Sequence, residues 1–252
     1  MVSTPTTLSR RIAATALAAA ASISVTAAAA AAPADLPRGS ERVTLDPADF
    51  STRITNPWWP MRPGSRWIYR ETDSSGSSLR VVVTVTRRTK LLANGVTARV
   101  VRDVATDGGE PVEVTEDLYA QDGKGTVWYL GEDTAEYENG KVVSREGSFE
   151  AGVDGAQAGV IMPAHPRPGM RYRQEYYAGH AEDRARVVSR REQAGVPFGH
   201  FRRVLMTRED NPLEPKALEF KFYARGIGPV LAVSVSGGSD REELVSYRRG
   251  RG

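Results

Sequence analysis

The 252-residue chain contains no cysteine. That excludes a disulfide framework, a thiolate metal site and the lipidated cysteine of a lipoprotein. Histidine is almost as scarce, with three in all, His165, His180 and His200. A zinc site needs about three converging protein ligands, so His165 beside the His180-Ala181-Glu182-Asp183 turn is a weak grouping, and loop histidines in solvent are the simpler reading. No metal and no other cofactor is expected. An excess of charge is also missing: 34 Lys and Arg stand against 31 Asp and Glu, a net +3. A nucleic-acid partner, which needs a strongly basic face, is therefore not expected. There is no Gly-x-Ser-x-Gly nucleophile elbow. Ser236-Gly237-Gly238-Ser239 lacks the lysine of a phosphate loop, and no Asp-x-Asp-x-Asp-Gly loop for calcium is present. Long helical periodicity is absent after the N-terminal segment.

What is present begins with Arg10 and Arg11, an alanine-rich apolar run from Ile12 to Val25, and small residues from Ala27 to Ala32. Residues 1–32 read as a secretory signal peptide. The run is shorter than the ~20 residues of a spanning helix, so the mature chain is expected to have no transmembrane segment and to be secreted. Ser9-Arg10-Arg11 hints at twin-arginine export, but Ala13 stands where a bulkier apolar residue is usual, which favours general secretion. Removing the two arginines takes +3 to about +1. Residues 33–50 read as a linker holding one capped helical turn, with Asp46 as cap and Pro47 first in the turn. Residues 248–252 form a basic tail that could touch an anionic envelope polymer, or simply fray.

Residues 51–247 carry strand signals separated by turn chemistry. In 79–86, Val81, Val83 and Val85 share one face and Arg80, Val82, Thr84 and Thr86 the other. Asn94-Gly95, Asp107-Gly108-Gly109, Asp122-Gly123 and Asn139-Gly140 are hairpin signals. Further strands are expected at 66–70, 97–104, 112–120, 126–130, 171–177, 184–193, 201–207, 218–224, 229–235 and 243–247. Residues 146–168, rich in Gly, Pro and Ala, read as a joint. The expected class is all-β, one antiparallel domain. About ten strands do not stay flat, because twist accumulates, so the sheet should curl into a half-barrel or barrel, or split into a sandwich.

The strand pattern is also repeated, in 62–132 and 167–235. Arg62-Pro63-Gly64 and Trp67 are echoed by Arg167-Pro168-Gly169 and Tyr172, and Tyr119-Ala120 by Tyr223-Ala224. Gly64 to Gly169 is 105 residues and Tyr119 to Tyr223 is 104. Two copies of a β-meander are the expectation; a solenoid needs shorter units and at least three of them.

The blocks Asn56-Pro57-Trp58-Trp59-Pro60, Pro63-Gly64-Ser65-Arg66-Trp67-Ile68-Tyr69, Tyr119-Ala120-Gln121-Asp122, Val127-Trp128-Tyr129-Leu130-Gly131-Glu132 and Gly147-Ser148-Phe149-Glu150-Ala151-Gly152 resemble a group of exported bacterial proteins without an assigned activity. More loosely, Gly64, Trp67 and Tyr69, then Val196-Pro197-Phe198-Gly199-His200-Phe201 and Tyr223-Ala224-Arg225-Gly226-Ile227-Gly228, are similar to TapB-like exported β-proteins, although Arg225 replaces a common proline. The resemblance implies a curved antiparallel sheet and brings no catalytic residues with it.

Candidate ligand-binding residues are Trp58, Trp59, Asp122, Trp128, Glu132, Tyr176 and Tyr177. Aromatics near carboxylates suit stacking on a sugar ring or covering an acyl chain. The expected function is a non-catalytic, envelope-associated or ligand-binding protein holding an apolar, lipid-like or carbohydrate-like ligand, with an envelope polymer as possible partner. One alternative is a glycoside-type hydrolase using Asp122 with Glu132 or Glu182, since carboxylates about 5–9.5 Å apart can act as acid and base. Core packing for Trp67 and Trp128, and turn formation for Asp122, are the plainer readings. A structural module without ligand is the third possibility, and it gains if Val81, Val83, Val85 and Trp128 fill the concave face.

Overall fold

The structure, a computed structural model, describes residues 36–251, so the signal segment expected at 1–32 lies outside the described residues. Asp46 accepts a hydrogen bond from the Ala48 amide at 3.0 Å and caps a single 3₁₀ turn, Pro47–Asp49. Proline suits this position because its φ is preset and its missing N–H would have had no partner there.

Nearly all the remaining regular structure is strand. β1 is Phe50–Ser51. β2 (Arg66–Thr72), β3 (Ser78–Leu91), β4 (Thr97–Asp107), β5 (Glu110–Asp122) and β6 (Val127–Glu138) run as an antiparallel meander. β7 (Lys141–Ser144), β8 (Phe149–Glu150) and β9 (Gln157–Met162) all pair with β6. β10 (Arg171–Arg173) and β11 (Glu175–Tyr176) are two halves of one extended segment. β12 (Arg184–Val196), β13 (Gly199–Asp210), β14 (Leu218–Ala224) and β15 (Gly228–Ser236) form a second meander, and β16 (Arg241–Arg248) joins it to β2. The order across the sheet is β10-β12-β13-β14-β15-β16-β2-β3-β4-β5-β6-β9-β11.

The two ends of that order are consecutive in the chain, and this nearly closes the sheet into a barrel. β10 bonds to β12 while β11 bonds to β9, so residues 171–176 serve both edges. Gly159 makes the contact possible. A Cβ built on it would lie 2.1 Å from the Gln174 carbonyl oxygen, so no larger residue fits without moving backbone. Arg173, 1% exposed, donates through Nε and Nη2 to the Ala158 carbonyl at 3.1 and 3.0 Å, and its Nη1 reaches the carbonyls of Gly39 and Glu41. The stretch expected as a bare joint, 146–168, therefore contains β8 and β9. Its small residues permit close strand approach as well as turns.

Matching bonds recur in the two meanders. The Gly64 amide donates to Val85 O at 2.8 Å, and Val85 N donates to Ser65 O at 3.0 Å. The Gly169 amide donates to Val187 O at 2.8 Å, and Val187 N donates to Met170 O at 2.9 Å. Both glycines have positive φ, +83° and +91°, a region that L side chains avoid.

Alternate residues point inward. Towards one end the interior is apolar: Trp67, Val81, Val85, Val187, Leu205, Tyr223 and Val230 are each at most 1% exposed. Burying one such side chain contributes about 1.5–3 kcal/mol. Trp67 Nε1 donates to Ile227 O and the Tyr69 hydroxyl to Pro229 O, both at 3.0 Å, so their polar tips are satisfied where they are buried. The proline-rich segment 54–61 caps this end. Ile54 bridges to Met61, and Asn56 Nδ2 donates to Gly125 O at 2.9 Å and Pro163 O at 3.1 Å.

Candidate acidic site at the barrel mouth

The same alternation that places valine and tyrosine inside near the cap places carboxylates inside at the opposite end. On β5, Glu113, Thr115, Asp117 and Tyr119 share a face; on β6 their partners are Glu136, Thr134, Glu132 and Tyr129. Two acid–acid pairs thus sit directly across the ladder. Glu209 of β13 is in register with Glu219 of β14, and Glu242 of β16 with Glu71 of β2. Like charges facing each other across a ladder are unfavourable, so four such pairs are costly for a structural element. Lys221 answers one of these pairs: its Nζ lies 2.9 Å from Glu209 and 3.1 Å from Glu219.

Burial sharpens the effect. The Glu132 side chain keeps partial solvent contact, but its carboxyl is surrounded by protein; burial, then the Asp117 charge, push it up to about 8, against a bond from Tyr129. Burial raises Glu175 well above the carboxylate range, helped by Asp183 and Glu132. Asp183 rises to about 6, again from burial first, with Lys221 opposing. For Lys221, burial acts to lower the value, but Glu209 and Glu219 outweigh it and hold the ammonium charged. Tyr129 donates to Asp117 Oδ1 at 2.7 Å and stacks on Tyr119 with centroids 4.9 Å apart. Thr207 and Tyr223 donate to Glu209 Oε1 at 2.7 and 3.2 Å, and Gln174 Nε2 to its Oε2 at 3.2 Å.

Two buried polar atoms lack a partner here, the Tyr172 hydroxyl and Asp183 Oδ1. Tyr172 is 1% exposed, and its neighbour Ala185 in β12 is in register with Glu209, so only a small residue separates the hydroxyl from that carboxylate. Unpaired buried polar groups cost about 1–3 kcal/mol and call for an explanation. No three His, Cys, Asp or Glu side chains are grouped to hold a metal ion among the described residues. The carboxylates are spread around the mouth instead.

Of the residues singled out from sequence, only Glu132 belongs to this mouth. Asp122 forms the β5–β6 turn: Oδ1 accepts from the amides of Lys124 and Thr126, both at 2.9 Å, and Oδ2 from Trp128 Nε1 at 3.0 Å. It lies five residues along β5 from Asp117, the actual partner of Glu132, or roughly 16 Å at strand spacing. Glu182 accepts from the Gly179 amide at 2.9 Å in a separate turn. Trp128 is 9% exposed, edge-on to Phe50, and Trp58 is 3% exposed. Trp59 is half-buried between the meanders. Tyr176 lies under Arg173, 5.6 Å from the guanidinium, and Tyr177 stacks on His180 at 4.5 Å. Sequence reasoning missed Asp117, Glu175, Glu209 and Lys221. The available signal was the facing of acids across the Asp122-Gly123 hairpin, which emerges once register is counted back from the turn.

The near-neutral net charge conceals segregation. Arginines line the outer face, where Arg171, Arg186 and Arg208 stand in register across three strands.

No family model matches the chain, and no curated protein matches it. Among solved structures, one from Bacteroides fragilis described as a "putative exported protein with YmcC-like fold" is similar over 76% of this chain and 99% of that one, at 13% identity and a TM-score of 0.47. A "putative lipoprotein" from Parabacteroides distasonis is similar over 76% of this chain and 98% of that one, at 11% identity and a TM-score of 0.43.

Proposed function

We propose that this protein is an exported, non-catalytic binding protein whose acid-lined barrel mouth holds a donor-rich, carbohydrate-like component of the cell envelope. Export rests on the N-terminal sequence. Binding rests on one observation: an inner ring of hydrogen-bond acceptors, set in unfavourable acid–acid register, with the Tyr172 hydroxyl and Asp183 Oδ1 buried and unpaired. Hydroxyl or ammonium groups of a ligand would donate to the carboxylates of this ring, and charge-assisted bonds of this kind are the stronger ones. An apolar ligand fits poorly, because the interior near the cap is already filled by Val81, Val85 and their neighbours and the mouth is acidic. We read the two meanders as copies of one unit, a reading supported by the matching bonds around Gly64 and Gly169.

The test is calorimetric titration of chitosan oligomers and of their neutral N-acetylated counterparts into the wild-type protein and an Asp117→Asn/Glu132→Gln variant. Binding of either series that weakens at least about tenfold in the variant supports the reading. Absence of binding by both series, or equal affinity in the variant, overturns it.

A second reading, glycoside-type hydrolysis, is favoured by the Asp117–Glu132 pair itself. Facing Cβ atoms in a ladder are about 4.5–5.5 Å apart, compatible with the ~5–5.5 Å carboxyl separation of retaining enzymes. A protonated Glu132 would then be the acid and Asp117 the nucleophile. Release of shorter oligomers during the same titrations, lost in Glu132→Gln, would move the protein into this class.

A further inference from the structure

At the capped end of the barrel, away from the carboxylates, there is an open cavity of about 320 Å³ whose lining includes Asn56, Trp58, Lys124, His165, Arg190 and Arg225 and no carboxylate. Its three cations come from three separate places: Lys124 from the β5–β6 turn, Arg190 from β12 and Arg225 from the β14–β15 turn. All three side chains are exposed, and no carboxylate pairs with any of them among the described residues. The nearby acid, Asp122, is committed to two amides and the Trp128 indole.

The floor of the cavity is rigid. Trp58 N donates to Asn56 Oδ1 at 2.9 Å, Asn56 Nδ2 is fixed to Gly125 and Pro163, and the Gly226 amide donates to Pro57 O at 2.8 Å. The guanidinium carbons of Arg190 and Arg225 lie 5.8 and 5.2 Å from the Trp58 ring centre. Stacking on the indole holds both forks over the same opening. Gathering three like charges without an acid between them is unfavourable unless an anion joins them.

We propose that this cavity is a binding site for a phosphoryl group. A lone carboxylate is matched by a single guanidinium fork, whereas a phosphate presents three or more oxygens and can engage two forks and an ammonium together. The group could belong to a small phosphate ester or to a phosphodiester polymer. The site does not depend on the acidic mouth, which lies at the other end of the barrel.

The experiment is calorimetric titration of the whole mature protein with glycerol 3-phosphate, poly(glycerol phosphate) and acetate. The variants are Arg190→Gln/Arg225→Gln and, as a control on the outer face of β4, Arg102→Gln. The expected result is saturable binding of at least one phosphoryl probe. It should weaken about tenfold or more in the double variant and with rising salt, and stay unchanged in Arg102→Gln. Binding of the polymer alone would assign the group to a polymer, and binding of both probes to an ester of either kind. Absence of binding by both phosphoryl probes, equal binding by the double variant, equal losses in the control, or acetate binding as tightly as phosphate would each overturn the proposal. The substituted side chains are exposed, and an unchanged melting temperature confirms that the variants are folded.

Discussion

Tyr119 and Tyr223, 104 residues apart in the chain, pack against the same indole: Trp59 lies 5.9 Å from the first ring and 5.6 Å from the second. One half-buried side chain thus ties the first meander to the second near the capped end. Trp59→Ala should cost about 2–3 kcal/mol, less than the 3–5 typical of a fully buried tryptophan. Urea unfolding measures it, and a loss below ~1 kcal/mol would show that the tie is not structural.

Stability should fall as pH rises through the neutral range. The folded Glu132 carboxyl titrates at about 8, well above its value of 4.5 in an unfolded chain. Between those values the folded state holds more protons than the unfolded state, so its advantage is present in mild acid and lost towards pH 8. Asp183, at about 6, acts in the same direction over a narrower window. The groups facing Glu132 are Asp117, Glu113, Tyr129, Glu175 and Asp183. Glu132→Gln should flatten the profile between pH 5 and 8.5. It should also raise the melting temperature at pH 8.5 by ~2–4 °C, after discounting for solvent screening at the mouth. An unchanged profile would remove Glu132 as its source.

Lys221 matters because Glu209 is 3% exposed. Lys221→Met removes the ammonium 2.9 Å from that carboxylate and leaves a buried charge answered only by neutral donors. Breaking such a pair costs about 3–5 kcal/mol, reduced here because the Lys221 side chain is 33% exposed. A loss of ~2–3 kcal/mol is expected from urea denaturation at pH 7.

Gly159→Ala should be among the most damaging single changes. Its Cβ would fall 2.1 Å from the Gln174 oxygen, so either β9 or the 171–176 segment must shift. A loss of about 4 kcal/mol or more is expected by thermal unfolding, the range reserved for changes that force backbone apart. Gly199→Ala, where nothing lies within 4 Å and φ is not positive, separates the effect of the clash from the loss of a glycine.

The local chemistry was largely legible. The strand expected at 218–224 is Leu218–Ala224, Asp46 and Pro47 form the capped turn, and Asn139-Gly140 turns β6 into β7 with φ of +51° and +74°. What the sequence withheld was long-range register. Val81, Val83 and Val85 mark an inner face at once, but Glu113, Thr115 and Asp117 resemble a solvated face until pairing through Val101 and Val85 places them inside. β9 escaped because a strand of Gln157, Ala158 and Gly159 offers no alternation, and its need for small residues comes from Gln174, which lies beyond the following turn.

The pairing of β2 with β16 has a consequence for biogenesis. Arg66 waits for Arg248, so the first long strand keeps a bare hydrogen-bonding edge until residues 241–248 have been delivered. Contacts this distant slow folding, and an unpaired edge invites association with other chains. A chain ending before residue 241 should therefore aggregate during synthesis or transport rather than persist as a smaller folded protein.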